Sequence, residues 1–312
     1  LIVSKSVESD IAADKAKDFS FTVTLSDETV NGTYGGMTFE NGVAKFTLKD
    51  GEIKETLGLA KGIEYTVEEK SESDFATTYT GKTGTITDKA GAAEFKNTRK
   101  TGDLTLSKKL ISDAAADADQ EFEFTVELSD KAINKTYGEM SFENGVATVK
   151  LKGGKSAKAT GLPIGITFKI TEAEAEGFEQ TAKTGDEGTI STTESKAEFT
   201  NARKTGDLDV KKSVVSSTAS DKEKNFTFTV TLSDTTINKT FNGVEFKNGV
   251  AEFTLKDGQT KSIIGLPTGI TYTVEETAES FHIGNYDYVI DAIDSLKDKA
   301  LLILMATAAD VK

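Results

Sequence analysis

Apolar and polar residues alternate along most of the chain, with the two-residue period of a β-strand that buries one face. The segment Phe19–Leu25 reads FSFTVTL and Phe226–Leu232 reads FTFTVTL, so the large apolar side chains of each segment share a face. Asn-Gly pairs at 41–42, 144–145 and 248–249 separate such runs and are typical of tight hairpin turns. No long run with helical periodicity precedes residue 290. The pattern therefore predicts short antiparallel strands.

The same strand motif returns twice at a fixed interval. FTVTLSD begins at Phe21, FTVELSD at Phe124 and FTVTLSD again at Phe228, a period of about a hundred residues. NTRKTGDL at Asn97–Leu104 likewise recurs as NARKTGDL at Asn201–Leu208. A repeat of this length matches a whole immunoglobulin-like domain rather than one turn of a solenoid.

We therefore predict an all-β chain of tandem Ig-like β-sandwich domains, each with roughly seven short antiparallel strands. The predicted boundaries are 1–100 for unit 1, 101–204 for unit 2 and 205–280 for an incomplete unit 3, with an unrelated strand–helix tail at 281–312. The connectors Arg99–Asp103 and Arg203–Asp207 are only a few residues long. Because they leave little slack between the units, we expect a fairly stiff rod.

Composition excludes several classes of function. The chain of 312 residues has 37 Lys and Arg against 51 Asp and Glu, a net charge of −14 that argues against nucleic acid or an anionic membrane as the main partner. It has no cysteine and one histidine, His282, which removes disulfides, thiolate chemistry and multi-histidine metal sites. No apolar run approaches the length of a membrane span. We expect no metal, no cofactor and no enzymatic turnover.

One charged residue interrupts the apolar face of the first strand in every unit. These strands read LIVSKSV, LTLSKKL and LDVKKSV, a later strand carries a glutamate in phase with its apolar face, and the last strand of units 1 and 2 carries an asparagine. The lysine-to-glutamate spacing is the same in all three units. The candidate residues are Lys5, Glu69 and Asn97 in unit 1, Lys108, Glu172 and Asn201 in unit 2, and Lys212 and Glu276 in unit 3.

Burial of an unpaired charge is costly, so a core that repeats these residues needs a chemical reason. Desolvation lowers the pKa of a lysine and raises that of a carboxylic acid, which permits a neutral amine beside a protonated acid. The amine is then a nucleophile toward the asparagine carboxamide, while the glutamate polarises the amide and passes a proton to the leaving ammonia. The product is a Lys–Asn isopeptide bond between the first and last strands.

Two alternatives to this chemistry remain open. The charged residues could be ordinary rim or edge-strand residues that oppose aggregation. A one-residue slip of strand phase at a bulge would instead turn their neighbours inward. Those neighbours are Lys109, Lys211, Glu68 and Glu275.

Residues 1 to about 280 resemble the Cna B-type and related isopeptide-forming repeats of Gram-positive surface adhesins and pilins. The first-strand lysine motifs, YTVEE and FKITE around the glutamate, and EFKN and EFTN around the asparagine carry the resemblance. It implies a Lys5–Asn97 bond assisted by Glu69 and a Lys108–Asn201 bond assisted by Glu172. It also implies an extracellular location at the cell surface or cell wall and neighbouring domains of a longer surface protein as partners.

Unit 3 departs from the pattern. Its asparagine is expected near residues 304–305, where the chain has Leu304 and Met305. Ser295 and Asp298 predict the start of a helix that runs to about Ala308, after a strand at 286–293. We therefore expect unit 3 to lack both its last strand and its cross-link, which leaves an open sheet edge.

The tail itself resembles a fragment of E1-like adenylating enzymes, in particular tRNA threonylcarbamoyladenosine dehydratases, through YDYVIDAID from Tyr286. The glycine-rich nucleotide loop of that family is missing upstream, so we carry no activity across. The sequence thus favours a structural stalk segment of a bacterial surface protein. The alternatives are an adhesin module that binds a host or matrix ligand and, less favoured, a fragment of an adenylating enzyme.

Overall fold

The computed structural model describes residues 1–277, 286–293 and 299–308. Strands dominate, and helices are limited to single turns that follow the first strand of each unit. The short helices are α1 (Ala12–Lys15), a 3₁₀ helix (Ala115–Asp119) and α2 (Ala219–Lys222). Nothing longer interrupts the β architecture within the described ranges.

Unit 1 contains two four-stranded sheets and a small hairpin. One sheet has the order β6-β1-β10-β8 and the other β5-β2-β7-β9, while β3 pairs with β4. The strands are β1 (Ile2–Glu8), β2 (Phe19–Leu25), β3 (Gly32–Tyr34), β4 (Met37–Phe39), β5 (Val43–Leu48), β6 (Ile53–Glu55), β7 (Glu64–Glu69), β8 (Phe75–Thr80), β9 (Thr83–Thr85) and β10 (Ala92–Arg99).

Unit 2 repeats this arrangement. Its sheets have the orders β16-β11-β20-β18 and β15-β12-β17-β19, and its hairpin is β13-β14. The strands are β11 (Thr101–Ile111), β12 (Glu121–Leu128), β13 (Lys135–Tyr137), β14 (Met140–Phe142), β15 (Val146–Lys152), β16 (Ser156–Pro163), β17 (Thr167–Glu172), β18 (Phe178–Thr184), β19 (Glu187–Thr189) and β20 (Ser195–Arg203).

Within the described residues, unit 3 has the same plan with three strands in its second sheet. Its sheets have the orders β26-β21-β29-β28 and β25-β22-β27, with a hairpin β23-β24. The strands are β21 (Thr205–Val214), β22 (Phe226–Leu232), β23 (Thr240–Phe241), β24 (Val244–Glu245), β25 (Val250–Leu255), β26 (Thr260–Pro267), β27 (Tyr272–Glu276), β28 (Tyr286–Ile293) and β29 (Lys299–Ala308).

Each unit is a β-sandwich with its own core, as the alternating pattern predicts. In unit 1 the inward side chains of both sheets form one cluster, in which the Phe21 and Phe95 rings meet edge to face at 5.2 Å. Phe124 and Phe199 make the same contact across unit 2 at 5.2 Å. The strand β2 alternates buried and more exposed positions along its whole length. Burial of each such ring contributes about 1.5–3 kcal/mol, so these aromatic residues hold the two sheets together.

The first and last strands of each unit lie side by side and parallel. β1 pairs with β10 from Ile2–Ala92 to Glu8–Thr98, and β11 pairs with β20 in the same sense. The prediction of an entirely antiparallel sandwich is therefore wrong for this pair. Two strands that begin and end a domain can be parallel because the rest of the domain forms their long crossover.

The predicted Asn-Gly hairpin turns are confirmed. Both residues of each pair have positive φ, for example 49° at Asn41 and 74° at Gly42, as a type I′ turn requires. The Gly is also required by packing, since a Cβ at Gly145 would lie 2.5 Å from the carbonyl oxygen of Asp130.

Residues 286–293 and 299–308 form strands, so the predicted helix is wrong over 299–308, while its predicted start at Ser295 and Asp298 lies outside the described residues. The strand β28 falls at 286–293 as predicted, but β29 pairs parallel with β21 as far as Val214–Ala306. Unit 3 therefore has a strand in the position of the last strand, contrary to our expectation of an open edge. The sequence of β29, KALLILMATA, is a nearly continuous apolar run, which suits a buried strand as well as a buried helix.

The single histidine, His282, lies outside the described residues, as does Asp294, the last residue of the YDYVIDAID segment on which the resemblance of the tail rests. The resemblance of the tail to adenylating enzymes stays a prediction.

Gly145→Ala is expected to destabilise unit 2 more than Gly154→Ala. Both residues have positive φ, 71° and 75°, so both variants bear the left-handed backbone cost of about 1–2 kcal/mol. Only at Gly145 does the new methyl group also meet backbone, because the space around Gly154 is open. Chemical denaturation of the two variants measures the difference, and equal losses of stability would contradict the packing argument.

Candidate functional site

The candidate residues of unit 1 come from three strands in two sheets. Lys5 lies in the middle of β1 and Asn97 on the adjacent strand β10, where Asn97 is paired in register with Val7. Glu69 ends β7, which belongs to the opposite sheet. Lys5 is 2% exposed and Asn97 is fully buried. The sandwich therefore encloses an amine, a carboxyl group and a carboxamide in its core.

The side chains of these three residues are within hydrogen-bonding distance through the glutamate. The Lys5 Nζ lies 2.9 Å from both carboxyl oxygens of Glu69, and the Asn97 Nδ2 donates to Glu69 Oε1 at 2.6 Å. The Asn97 Oδ1 is buried without a hydrogen-bond partner. Glu69 thus contacts both reactive groups at once, while the carbonyl of the amide stays available as an acceptor.

Unit 2 brings its candidate residues together in the same way. Lys108 Nζ and Asn201 Nδ2 each donate to Glu172 Oε1 at 2.8 Å. The Lys108 side chain is fully buried and that of Glu172 is 2% exposed. Glu172 Oε2 and Asn201 Oδ1 are both buried acceptors without a partner in the described structure. A proton on the glutamate would supply the donor that these acceptors lack.

Unit 3 has the lysine and glutamate in place, and the described residues place no asparagine beside them. Lys212 Nζ lies 2.9 Å from both oxygens of Glu276. The register position of Asn97 and Asn201 falls on Ala306, which pairs with Val214 as Asn97 pairs with Val7. The sequence-based estimate of 304–305 was therefore early by one or two residues. The conclusion that this position has no carboxamide is unchanged.

The alternative strand phase is not adopted. Lys109, next to Lys108, has a side chain that is 62% exposed and pairs with Glu198 on the outer face of the sheet. Glu68 is exposed as well. The inward residues are therefore those selected by period-two counting.

Burial lowers the pKa of the two lysines that face an asparagine. Desolvation lowers the pKa of Lys5, and the hydrogen bond and charge of Glu69 oppose that shift without cancelling it. The pKa of Lys108 is lowered for the same reason, with Glu172 as the opposing partner. A lower pKa increases the share of neutral amine, which is the nucleophilic form.

Sequence reasoning missed the aromatic residue that covers each lysine. The Nζ atoms of Lys5, Lys108 and Lys212 lie 4.4, 4.2 and 4.0 Å from a phenylalanine ring centroid. The rings belong to Phe19, Phe122 and Phe226. They exclude water from the amine and interact favourably with its cationic form. The signal was present, since each phenylalanine is the first or second residue of the second strand of its unit, but the pattern identified it only as a core residue.

Other candidate chemistry is sparse in the described part of the chain. No group of three or more His, Asp or Glu residues there could hold a metal ion, and no helix there is long and apolar enough to cross a bilayer. Within the acidic run Ser112–Glu121, Asp117 accepts hydrogen bonds from Ser112 and Arg203. That carboxylate therefore has a structural role.

An Asn201→Ala variant, which retains the Lys108 amine, is expected to gain stability as the pH rises toward 10.5, the unperturbed lysine pKa. Because burial lowers the folded-state pKa, the unfolded chain binds more protons than the folded chain between the two pKa values. The gain is at most about 1.4 kcal/mol per pH unit. Chemical denaturation between neutral pH and pH 10 should show it relative to Asn201→Ala with Lys108→Met. A pH-independent difference would contradict the lowered pKa.

Comparison with known proteins places this geometry in context. Over 89 residues, the chain is 39% identical to the pilus tip adhesin Cpa of Streptococcus pyogenes. The aligned region covers 26% of this chain and 13% of the adhesin. The chain thus spans only a small part of that relative. The match confirms the predicted resemblance to pilin- and adhesin-like repeats.

Two solved structures are among those similar to the chain. The major pilin T-13 of Streptococcus pyogenes aligns with a TM-score of 0.39 and 20% identity, over 65% of this chain and 97% of the pilin. The Bacillus anthracis TIE protein aligns with a TM-score of 0.44 and 21% identity, over 97% of this chain and 49% of that protein.

One family matches the chain three times in succession. Its description is Domain of unknown function (DUF7601), and the matches cover residues 1–99, 102–203 and 206–298. The matches begin and end close to the connectors between the units. Since together they cover nearly the whole chain, the protein belongs to this family and contains three consecutive copies of its domain.

Proposed function

We propose that the chain is a structural stalk segment of a bacterial cell-surface pilin- or adhesin-like protein, in which units 1 and 2 are each closed by a self-formed Lys–Asn isopeptide bond. The observation that carries the proposal is the buried contact of Lys5, Glu69 and Asn97, repeated by Lys108, Glu172 and Asn201. The proposed domains are 1–100, 101–204 and a third that begins at residue 205, and their natural partners are neighbouring domains of the parent protein.

The proposed reaction needs no external reagent. The neutral Lys108 amine attacks the Cγ of Asn201, and the bond from Cγ to Nδ2 breaks as the new C–N bond forms. Glu172, protonated at the start, donates a proton to the carboxamide and takes one from the attacking nitrogen. The released nitrogen leaves as ammonia, and the glutamate ends as it began. Lys5, Glu69 and Asn97 take the same roles in unit 1.

The position of the bond suits a load-bearing role. Lys5 and Asn97 lie on the first and last strands, which are adjacent and parallel. Tension applied to the two ends of a unit therefore acts on these two strands, and a covalent bond between them transmits it. The part of the unit between the cross-linked residues then bears no load and stays folded.

Under this proposal, unit 3 forms no isopeptide bond. Its last strand β29 supplies backbone pairing to β21 but has Ala306 where the carboxamide would be. Lys212 and Glu276 then remain an ion pair, and unit 3 depends on non-covalent interactions alone.

The intact mass of the purified chain tests the cross-links directly. We expect the wild-type mass to be lower than its sequence mass by two ammonia molecules. The mass of the Lys108→Ala variant should be lower than its own sequence mass by one ammonia molecule. Lys109→Ala changes the exposed neighbour and is expected to keep both mass deficits, as is Lys212→Ala in unit 3. A wild-type chain at its full sequence mass would overturn the isopeptide proposal.

Force spectroscopy tests the stalk role separately. When the chain is pulled from its two ends, we expect one sandwich, unit 3, to unfold, because units 1 and 2 are locked between their first and last strands. Lys108→Ala should add a second unfolding event of similar length, whereas Lys109→Ala should not. Unfolding of all three units in a wild-type chain that shows both ammonia deficits would contradict the load-bearing role and leave the cross-links in place.

A further inference from the structure

The two connections between units are built from the same set of contacts. The strand β10 ends at Arg99 and β11 begins at Thr101, with one residue between them, and β20 and β21 are separated in the same way. We refer to the contacts between units 1 and 2 as joint 1 and to those between units 2 and 3 as joint 2. Every side chain considered below lies outside the proposed cross-linking sites.

An arginine at the end of the last strand reaches into the next unit at each joint. At joint 1, Arg99 Nε and Nη2 donate to the carbonyl oxygen of Ile164 at 3.2 and 2.5 Å. At joint 2, Arg203 Nε and Nη2 donate to the carbonyl oxygen of Thr268 at 3.1 and 2.5 Å. The same two atoms of each guanidinium thus hold one backbone carbonyl of the following unit.

The rest of each guanidinium is fixed by its own unit. Arg99 Nη1 donates to Asp14 Oδ1 at 3.2 Å, and Arg203 Nη1 donates to Asp117 Oδ1 at 3.2 Å. The Arg99 side chain is only 11% exposed and stacks over Phe75 at 5.3 Å. Since an arginine fork is planar and makes several bonds at once, it fixes the direction of its partner as well as its distance.

The acceptor loop of the next unit is shaped to admit the guanidinium. Gly165 follows Ile164, and a Cβ at Gly165 would lie 2.8 Å from Arg99 Nη2. At joint 2, a Cβ at Gly269 would lie 2.9 Å from Arg203 Nη2. The backbone adds a bond beside each contact, from Ile164 N to the Lys100 carbonyl at 3.1 Å and from Thr268 N to the Lys204 carbonyl at 2.9 Å. Each arginine therefore enters a socket that requires a glycine.

A second contact spans each joint at a separate point. At joint 1, Asp10 accepts hydrogen bonds from Lys135 Nζ and Tyr137 Oη, both at 2.8 Å. At joint 2, Asp113 accepts one from Lys239 Nζ at 2.7 Å, and the position of Tyr137 is taken by Phe241, which has no hydroxyl. Joint 2 has instead a hydrogen bond from Ala115 N to Thr236 Oγ1 at 3.4 Å, so each joint has two hydrogen bonds at this second point.

The Asp10 carboxylate of joint 1 stays charged at neutral pH. Burial alone would raise the pKa of Asp10, but the hydrogen bonds from Lys135 and Tyr137 outweigh it and lower that pKa. Burial and the hydrogen bond to Asp10 raise the pKa of Tyr137, which keeps its hydroxyl protonated and able to donate.

We infer that these paired contacts are a two-point lock that fixes the orientation of consecutive units at both joints. One contact point alone would leave a pivot, whereas two separated points oppose rotation about each other. The usefulness of such a lock rests on the proposed stalk role, but its geometry does not depend on the isopeptide bonds.

Distance measurements between spin labels in the full chain test the lock. The chain has no cysteine, so exposed positions can be labelled uniquely as Lys45→Cys, Thr148→Cys and Glu252→Cys. The first two labels report on joint 1 and the last two on joint 2. In the wild-type background we expect a narrow distance distribution at both joints.

Substitution of each arginine should loosen only its own joint. Arg99→Gln is expected to broaden the joint 1 distribution and leave joint 2 unchanged, and Arg203→Gln should do the reverse. Lys96→Gln removes the surface ion pair with Glu8 inside unit 1 and should broaden neither. Distributions that stay as narrow as in the wild type in both arginine variants would overturn the lock.

A reciprocal exchange at the second point tests its contribution to the lock without removing an ion pair. Tyr137→Phe gives joint 1 the side chain of joint 2 and should broaden its distribution, while Phe241→Tyr should narrow that of joint 2. No change in either variant would overturn the role of the Tyr137 hydroxyl in the lock. Intact mass recorded on the same samples keeps this result separate from the cross-links, because both ammonia deficits should persist in every variant of the joints.

Discussion

A lysine side chain buried in the middle of a β-sandwich constrains everything around it. The Lys5, Lys108 and Lys212 side chains have no exposed surface, and a lysine in such a place is tolerated only as a paired ammonium or as a neutral amine. In each unit the pairing glutamate comes from the opposite sheet, so the two sheets must meet at this point. The phenylalanine above each amine removes the remaining access for water. The core is therefore organised around a polar group that hydrophobic packing alone would exclude.

The parallel pairing of the first and last strands determines which side chain lies beside the buried lysine amine. In units 1 and 2 it brings a carboxamide beside the buried amine, and a covalent bond between the strands becomes possible. In unit 3 the equivalent strand pairs equally well through its backbone but has Ala306 at the same register position. The three units thus share a fold and a buried lysine–glutamate contact, and they differ in whether the first and last strands can be joined covalently.

The joints connect the last strand of one unit to the next unit through specific side-chain contacts. Arg99 lies two residues beyond Asn97 on β10, so the strand that leaves the cross-link also carries the side chain that enters the next unit. Force that passes along the chain would therefore meet a covalent bond, a guanidinium socket and then the first strand of the next sandwich. A structure in which rigid units follow one another through one-residue connections is suited to spacing and to transmitting load, which agrees with the proposed stalk role.

The sequence by itself determined the repeat, the strand faces, the Asn-Gly turns and the inward lysines, because each depends on local periodicity or on turn chemistry. It could not determine that the first and last strands are parallel, since the strands lie far apart along the chain and only folding brings them together. The same limit explains the error over Lys299–Ala308, an apolar run without a local signal that distinguishes strand from helix, where pairing with β21 decided the outcome. The phenylalanine over each amine and the arginine sockets also arose only in the tertiary structure, because they join residues whose contacts cross sheets or units.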